Sequence, residues 1–228
     1  MNVKTRAPGK RPHERGASRA GRPPKTHAGE VDRRILDAAR RAFLEKGLDG
    51  ASVDEIAKLA RAGKPTIYAR FPNKEALYVA VAMRNVAEVI ESEMHLPDGP
   101  DVEEQRISLG VTMLRSALTD DHIGVMRLGI SEARRFPDLA GSVHRMASER
   151  GIAAVTRLLR EAARSDKGGA LAAFAPNRLA TTAQFFIDLV LWPMFRHALF
   201  GKKLRTLRAG IEAHVTQSVA FFLAACRA

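Results

Sequence analysis

The amino-acid sequence predicts an all-α protein with two parts, an N-terminal three-helix domain that contains a helix-turn-helix and a C-terminal helical domain. Apolar residues recur at intervals of three and four along most of the chain, which is the spacing of one helix face. Capping residues, glycines and prolines divide this pattern into helix-sized pieces, and no stretch alternates in the manner of a strand. Hydrophobic residues make up 46% of the chain and aromatic residues only 6%, a composition that favours packed helices.

Residues 1–29 are predicted to be a disordered basic arm that precedes the folded domains. They hold eight basic side chains and one acidic one, a large part of the formal net charge of +12. Because they contain few large apolar side chains and many Pro and Gly residues, they cannot bury a core. Such an arm suits a polyanion such as DNA, and a solvated tail without a function is the alternative. Arg22, in a Gly-Arg-Pro sequence, could enter a minor groove.

Residues 30–75 are predicted to form the first folded domain, of three helices. Its first helix runs from about residue 30 to residue 46, and Gly47 is its stop. The residues that recur on one face of this helix, and should therefore point into the core, are Ile35, Ala39, Ala42 and Phe43.

The segment from residue 52 to residue 74 indicates a helix-turn-helix. Ser52 and Glu55 form a capping box at the start of the first helix, which ends near Ala60. A turn follows at residues 61–63, and Pro65 is tolerated in the first turn of the second helix because its missing N–H would have no helical partner there. Two short helices joined in this way can place the second one in a DNA major groove.

The outer face of the second helix is the surface that we expect to read bases. Its residues are Lys64, Pro65, Thr66, Ala69 and Arg70. An arginine can bind the O6 and N7 atoms of guanine with two hydrogen bonds, but it contacts a phosphate equally well, so both roles stay open for Arg70.

Residues 76–228 are predicted to form the C-terminal domain, which starts within a long helix that begins at Lys74 and ends near residue 94. The apolar residues of this helix recur at helical spacing, and they are Val79, Met83, Val86 and Ile90. A segment with two prolines and a glycine at residues 95–100 then breaks the pattern. Further helices follow, one of them kinked near Pro193, at about residues 101–118, 121–135, 138–164, 176–200 and 203–226.

Residues 36–77 resemble the DNA-binding domain of the TetR family of bacterial transcriptional regulators. The positions that match the family's pattern are Phe43, Gly47, Ser52, Ile56, Ala57, Thr66, Ile67, Tyr68, Phe71, Lys74 and Leu77. The chain departs from the pattern at Arg61 and Gly63, where the family usually has glycine and serine. Either Arg61 forms the turn although it is poorly suited to a left-handed backbone, or the turn shifts by one residue.

The resemblance also implies which side chains hold the DNA backbone. Tyr68 and Lys74 are expected to contact phosphates, and Lys74 stands at a helix N-terminus that already favours an anion. Together with Arg22, Ser52 and the base-reading face, these two residues complete the predicted DNA-binding set.

Residues 127–222 resemble, more loosely, the C-terminal domain of the AcrR and AefR branch of the same family. The similarity lies in the sequence SEARRFPDL at residues 131–139 and in a Phe-rich penultimate helix. It implies an effector pocket among the middle helices and a homodimer formed by the last two helices. For the dimer interface we expect the apolar stripe of the last helix, Ile211, Val215, Val219 and Phe222.

Asp188 is an unusual residue, because it lies within the apolar run 185–195. A buried charge needs a partner, which is either an Arg or a His of another helix or a polar group of an effector. The residues that line an apolar effector pocket beside it, or else belong to the ordinary core, are Met113, Met126, Phe185 and Trp192. This set would suit a mostly apolar molecule with a polar or cationic group.

Several other classes of function lack support in the sequence. No apolar run of about 18 residues predicts a membrane span, and the chain has no secretory signal and a single cysteine, so we expect a cytoplasmic protein. The seven histidines form no pair at helical spacing, so no metal ion is expected, and no other cofactor is either. No nucleophile is paired with a base for catalysis, so we do not expect an enzyme.

The sequence therefore predicts a homodimeric, ligand-responsive DNA-binding regulator, more specifically a repressor, whose target is a palindrome in double-stranded DNA. One group of alternatives is a regulator that responds to no effector, or an activator. The other, from a different class, is an α-helical enzyme that carries a basic tail.

Overall fold

The computed structural model describes residues 25–91, 102–165 and 172–227. These residues form eleven α-helices and a 3-10 turn at Ala172–Phe174, with no strand among them, so the predicted all-α class is confirmed. The helices are α1 (Lys25–Gly50), α2 (Val53–Ala60), α3 (Lys64–Tyr68), α4 (Lys74–Glu91), α5 (Val102–Ala117), α6 (Asp120–Glu132), α7 (Pro137–Ser165), α8 (Leu179–Val190), α9 (Trp192–Leu199), α10 (Leu204–Ala209) and α11 (Ile211–Arg227). Arg22 and the predicted breaker at residues 95–100 lie outside the described residues.

Gly47 interrupts α1, as predicted. Its φ of 73° and ψ of 177° are non-helical, and a positive φ costs glycine less than any other residue. A Cβ atom at this position would also stand 3.0 Å from Oε1 of Glu132 in α6. The four residues predicted to point inward from α1 are all buried. Helix α1 begins at Lys25, whereas the sequence predicted a start near residue 30.

The turn of the helix-turn-helix forms at Arg61 and is not shifted. This residue has φ 49° and ψ 46°, the left-handed conformation, and its N–H is directed at the carbonyl groups that end α2. The neighbouring Ala62 N–H donates to Ala57 O at 3.0 Å, which closes the helix end. On α2, Ile56, Ala57 and Ala60 are buried, whereas Leu59 is exposed.

Helix α4 belongs to two hydrophobic cores. Its first half is buried with α1, α2, α3 and part of α6, through Leu77, Tyr78, Val81 and Ala82. Its second half packs Val89 and Ile90 against the core of the C-terminal domain. The predicted stripe of α4 is therefore too narrow, because a helix between two cores buries more than one face.

A single helix over residues 176–200, with a kink, was expected, and two helices are found. Helix α8 begins only at Leu179, and Leu191 separates it from α9. Pro193 has no N–H to donate to the carbonyl of Leu189, one turn earlier. The Ser218 hydroxyl donates to that carbonyl at 3.3 Å, and His214 Nε2 lies 2.9 Å from the next one, Val190 O. Helix α11 thus compensates for the break.

The predicted last helix is also divided, at Gly210, into α10 and α11. The stripe assigned to the dimer interface needs a correction, because Ile211, Val215, Val219 and Phe222 are at most 2% exposed within one chain. They belong to the C-terminal core, where α11 packs closely on α5. Side chains that are already enclosed by their own chain cannot supply a contact between chains. Among the described helices, none has the length and apolarity needed to cross a membrane.

Replacing Gly110 tests the close approach of α5 and α11. A Cβ atom there would stand 2.7 Å from Cγ1 of Val215, so Gly110→Ala forces a stiff β-branched neighbour to move. Gly141→Ala is the matched control, because the nearest atom to its added Cβ is Nη1 of a flexible Arg145 at 3.9 Å. Both changes gain about 1 kcal/mol of helix propensity. We expect urea denaturation to show Gly110→Ala to be less stable than Gly141→Ala by about 1–3 kcal/mol. Equal stabilities would contradict the packing.

Candidate DNA-contacting surface and ligand pocket

The recognition helix α3 is held by one apolar anchor. Ile67 is buried in the core formed with α1 and α2, and Phe71 beyond the helix is half-buried against the same core. With that face anchored, the opposite face is open, and Tyr68 is 47% exposed. The predicted base-reading residues share this surface: Lys64, Pro65, Ala69 and Arg70 are exposed and Thr66 is half-buried.

Both cations of the predicted base-reading face have acidic partners within the chain. Lys64 Nζ lies 2.5 Å from Oδ1 of Asp54, and this hydrogen bond and charge raise the pKa of Lys64. Arg70 pairs through Nε with Asp32 of α1 and donates through Nη1 to the carbonyl of Thr66 at 3.1 Å. Base contact by Arg70 therefore requires that it leave, or share, the carboxylate of Asp32.

Lys74 has a structural role in the described chain. Its Nζ donates to the carbonyl groups of Asp49 and Ala51 at 3.1 and 3.2 Å, so it fixes the connection between α1 and α2. It stands at the start of α4, where the Asn73 side chain accepts from Ala76 N at 2.7 Å. A phosphate at this helix end would share the ammonium group with two carbonyl oxygens.

Ser52 caps α2, and half of the predicted capping box is observed. The hydroxyl accepts a hydrogen bond from Glu55 N at 3.2 Å. The Glu55 carboxylate is paired with Lys46 at 2.7 Å, so it binds α2 to the end of α1. Ser52 itself is exposed beside the recognition surface.

A cavity of about 410 Å³ lies between α4, α6, α7, α8 and α9. Three of the predicted effector residues, Met113, Met126 and Trp192, line it. The structure does not bring Phe185 and Asp188 to its wall. On α8 the wall is formed by Gln184 and Ile187, and Leu191 continues it just beyond the helix. Phe185, 100° around the helix from Gln184, points outward.

Asp188 is paired on its own helix, with Gln184 Nε2 donating to its Oδ1 at 2.8 Å. The expected partner, an arginine or a histidine of another helix, is thus replaced by a glutamine one turn away on the same helix. Among the described residues that line the cavity, none is Asp, Glu, Lys or Arg. The cavity wall is therefore apolar apart from neutral hydrogen-bonding groups and histidine rings.

Asn85 of α4 and His122 of α6 form a buried polar pair in the cavity wall. Asn85 Nδ2 lies 2.9 Å from His122 Nδ1, and both side chains are buried. Burial lowers the pKa of His122 from 6.5 to about 4, so the ring is neutral at pH 7. Neither residue is among the site residues predicted from the sequence. A usable signal was present, since Asn85 interrupts the apolar face of α4.

Glu132, at the end of α6, joins the cavity wall to the DNA-binding domain. Its Oε1 accepts a hydrogen bond from Leu48 N at 3.1 Å, immediately after the break at Gly47. Burial, and then the charge of Glu132, raise the pKa of Tyr78, which also lines the cavity. Arg135, just beyond α6, pairs with Asp49 of the same connection. The end of α6 is thus fixed to the end of α1.

Two family models match the chain. The model described as bacterial regulatory proteins, tetR family, matches residues 35–81. The model described as the AefR-like transcriptional repressor C-terminal domain matches residues 105–228. The two matches cover the helix-turn-helix and the helices around the cavity.

Curated relatives match over part of their length. The HTH-type transcriptional activator FasR of Mycolicibacterium smegmatis is 28% identical over 109 residues, which are 48% of this chain and 50% of FasR. The HTH-type transcriptional repressor SCO4008 of Streptomyces coelicolor is 38% identical over 68 residues, 30% of this chain and 34% of that protein. The chain thus spans half or less of the length of these relatives.

Solved structures match over most of the chain. A regulator from Mesorhizobium loti, described as a TetR-family protein, has a TM-score of 0.70 at 27% identity. The match covers 88% of this chain and 98% of the Mesorhizobium loti chain. The flavonoid-responsive regulator FrrA has a TM-score of 0.65 at 25% identity, with 86% and 97% covered.

The neutral state of His122 has a consequence for stability against pH. The unfolded chain takes up a proton near pH 6.5 and the folded chain only near pH 4, so this stability is complete above pH 6.5 and is lost as the pH falls towards 4. We expect wild type to lose about 2–3 kcal/mol more than His122→Gln between pH 7 and pH 4.5, measured by urea denaturation. Parallel losses in the two proteins would show that His122 is not buried in the neutral form.

Proposed function

The chain belongs to the TetR family of bacterial regulatory proteins, and we propose that it is a ligand-responsive repressor that binds a palindromic operator as a homodimer. Family membership makes it a DNA-binding transcriptional regulator and points away from an enzyme. The observation that carries the proposal is that the cavity is walled by α4 and α6, the helices that also pack on the DNA-binding domain. The proposed place of action is the cytoplasm, on the nucleoid.

The proposed DNA contacts divide into two kinds. Tyr68 and Lys74 would hold phosphates, and these contacts position the protein without selecting a sequence. Bases would be read by Lys64, Pro65, Thr66, Ala69 and Arg70, with Ser52 beside them and Arg22 in a flanking minor groove. The exposed face of α3 supports this assignment. In a dimer with two-fold symmetry, two such helices about 34 Å apart would meet two half-sites of an inverted repeat.

The proposed dimer contact uses the outer faces of α8 and α11, since the inner stripe is core. Phe185 on α8 is 60% exposed and Phe221 on α11 is 67% exposed. The two helices pack on each other, so their outer faces adjoin. Large exposed aromatic side chains on adjoining helices are expected at an interface rather than in water.

The proposed response passes from the cavity to the DNA-binding domain through α4 and α6. A ligand that separates these helices would move Glu132 relative to Leu48, and with it the end of α1. It would favour a dimer in which the two recognition helices are wrongly spaced for the operator, and so release DNA by population shift. FasR, named as an activator, leaves activation as the second candidate for the sign of regulation.

Operator binding is tested by selection from a random DNA pool, followed by footprinting. We expect an inverted repeat protected by two chains. Tyr68→Ala should then weaken binding roughly 10-fold on every selected sequence, because a phosphate contact carries no base preference. Met146→Ala, an exposed change on α7, should leave the affinity unchanged. Protection of one asymmetric half-site by a single chain would sink the proposal.

The dimer contact is tested by charge substitutions at three phenylalanines. Phe185→Glu and Phe221→Glu should yield monomers in sedimentation experiments while the thermal midpoint of the monomer fold is kept, because both residues are exposed in one chain. Phe200→Glu is the control, since Phe200 is more exposed than either and directly follows α9, outside α8 and α11. A dimer that survives both substitutions would place the interface elsewhere.

A further inference from the structure

The cavity offers hydrogen-bond donors to a ligand, but its described lining has no acidic, lysine or arginine side chain that could pair with a charged ligand. An ionised carboxylate or ammonium group that enters such a site loses its hydration and gains no ion pair in return, which is strongly unfavourable. Glu132, near one end of the cavity wall, is occupied by Leu48 N. These features exclude salts of acids and amines as good ligands.

The direction of the hydrogen bond between Asn85 and His122 determines which nitrogen of the His122 ring carries the proton. An amide nitrogen only donates, so His122 Nδ1 is the acceptor in this pair. In a neutral imidazole the proton is then on Nε2. Asn85 holds the ring in that tautomer, and because the ring lines the cavity, Nε2–H is the donor of His122 that remains for a ligand.

The shape of the wall places this donor between two helices. Asn85 belongs to α4 and His122 to α6. Two turns earlier on α4, Tyr78 lies against α6, and a Cβ atom at Gly129 would stand only 3.1 Å from its Oη. The remaining surface around the donor is apolar, including Phe195, whose ring centre is 5.6 Å from that of His122. A ligand must therefore place apolar atoms against this surface and an acceptor atom within hydrogen-bond distance of His122 Nε2–H.

We propose that the cavity recognises an uncharged, mostly apolar molecule through one hydrogen-bond acceptor, such as a ketone or ester carbonyl, which accepts from His122 Nε2–H. This inference rests on the proposed ligand response, and it names the chemical class that the response would require. The neutral acceptor takes the place of the polar or cationic ligand group that was expected to pair with Asp188, because Asp188 does not line the cavity. His122 is a specificity-determining residue, and Asn85 is the positioning residue that orients it.

The test uses four probes of equal chain length, 2-octanone, octane, octanoate and octylammonium. Binding is measured by the fluorescence of Trp192, the only tryptophan and a residue of the cavity wall. The titrations are all made at pH 8. We expect 2-octanone to bind at least about 10-fold more tightly than either ion, because only the ions leave a charge unpaired.

Two variants separate the donor from the shape of the ring. His122→Phe keeps a ring of similar size but has no donor, and it should reduce the preference for 2-octanone over octane about 10-fold while octane binding is kept. His122→Gln retains an N–H at similar reach and should restore most of that preference. The circular dichroism melt of each variant shows whether it is folded. Should His122→Phe fail to fold, the comparison of His122→Gln with His122→Leu takes its place.

The outcomes are distinct from those of the proposed function. Equal or tighter binding of octanoate or octylammonium, an unchanged ketone preference in His122→Phe, or no binding of any probe overturns the inference. Operator release is measured with the same probes by fluorescence anisotropy of labelled DNA. Binding of 2-octanone that depends on His122 but leaves operator affinity unchanged supports the ligand class and overturns the ligand response instead.

Discussion

The structure depends most on the shared position of α4, whose first half is core of the DNA-binding domain and whose second half is wall of the cavity. A helix is stiff along its axis, so its two halves cannot move independently without breaking backbone hydrogen bonds. Arg84 on α4 also joins this helix to α1, since it donates to the carbonyl of Arg33 at 3.1 Å and pairs with Asp37. A movement of the second half of α4 would therefore carry its first half along, and that half packs in the core that holds the recognition helix.

Local backbone chemistry made the DNA-binding domain predictable. Gly47, Pro65 and the cap at Ser52 each have few allowed roles, and each was found where its chemistry requires it. Arg61 shows the limit, because an arginine in a left-handed conformation follows from the closure of the whole turn and not from its own preference. The contact roles of the DNA-binding residues stay predictions, since they depend on a partner.

The C-terminal domain was less predictable, because periodicity tells that a face is buried but not by what. The stripe from Ile211 to Phe222 has the pattern of an interface and of a core alike, and the fold of a single chain covers it. Asn85 and His122 come together only through the packing of α4 on α6, 37 positions apart in sequence. Asp188 is the one acid in an apolar run of the sequence, but Gln184, one turn away, donates a hydrogen bond to its carboxylate.

The pairing of Arg70 with Asp32 and of Lys64 with Asp54 changes how the count of basic residues relates to DNA affinity. When a solvated cation binds a phosphate, small ions condensed on the DNA are released, and affinity falls steeply as salt is added. A cation that arrives with its own carboxylate carries that negative charge into the complex, where it repels the DNA. Such a pair neutralises less of the polyanion than its basic member alone would do. The recognition surface consequently neutralises fewer phosphate charges than its number of lysines and arginines suggests. Its selectivity among DNA sequences therefore depends more on the geometry of its contacts than on the ionic strength.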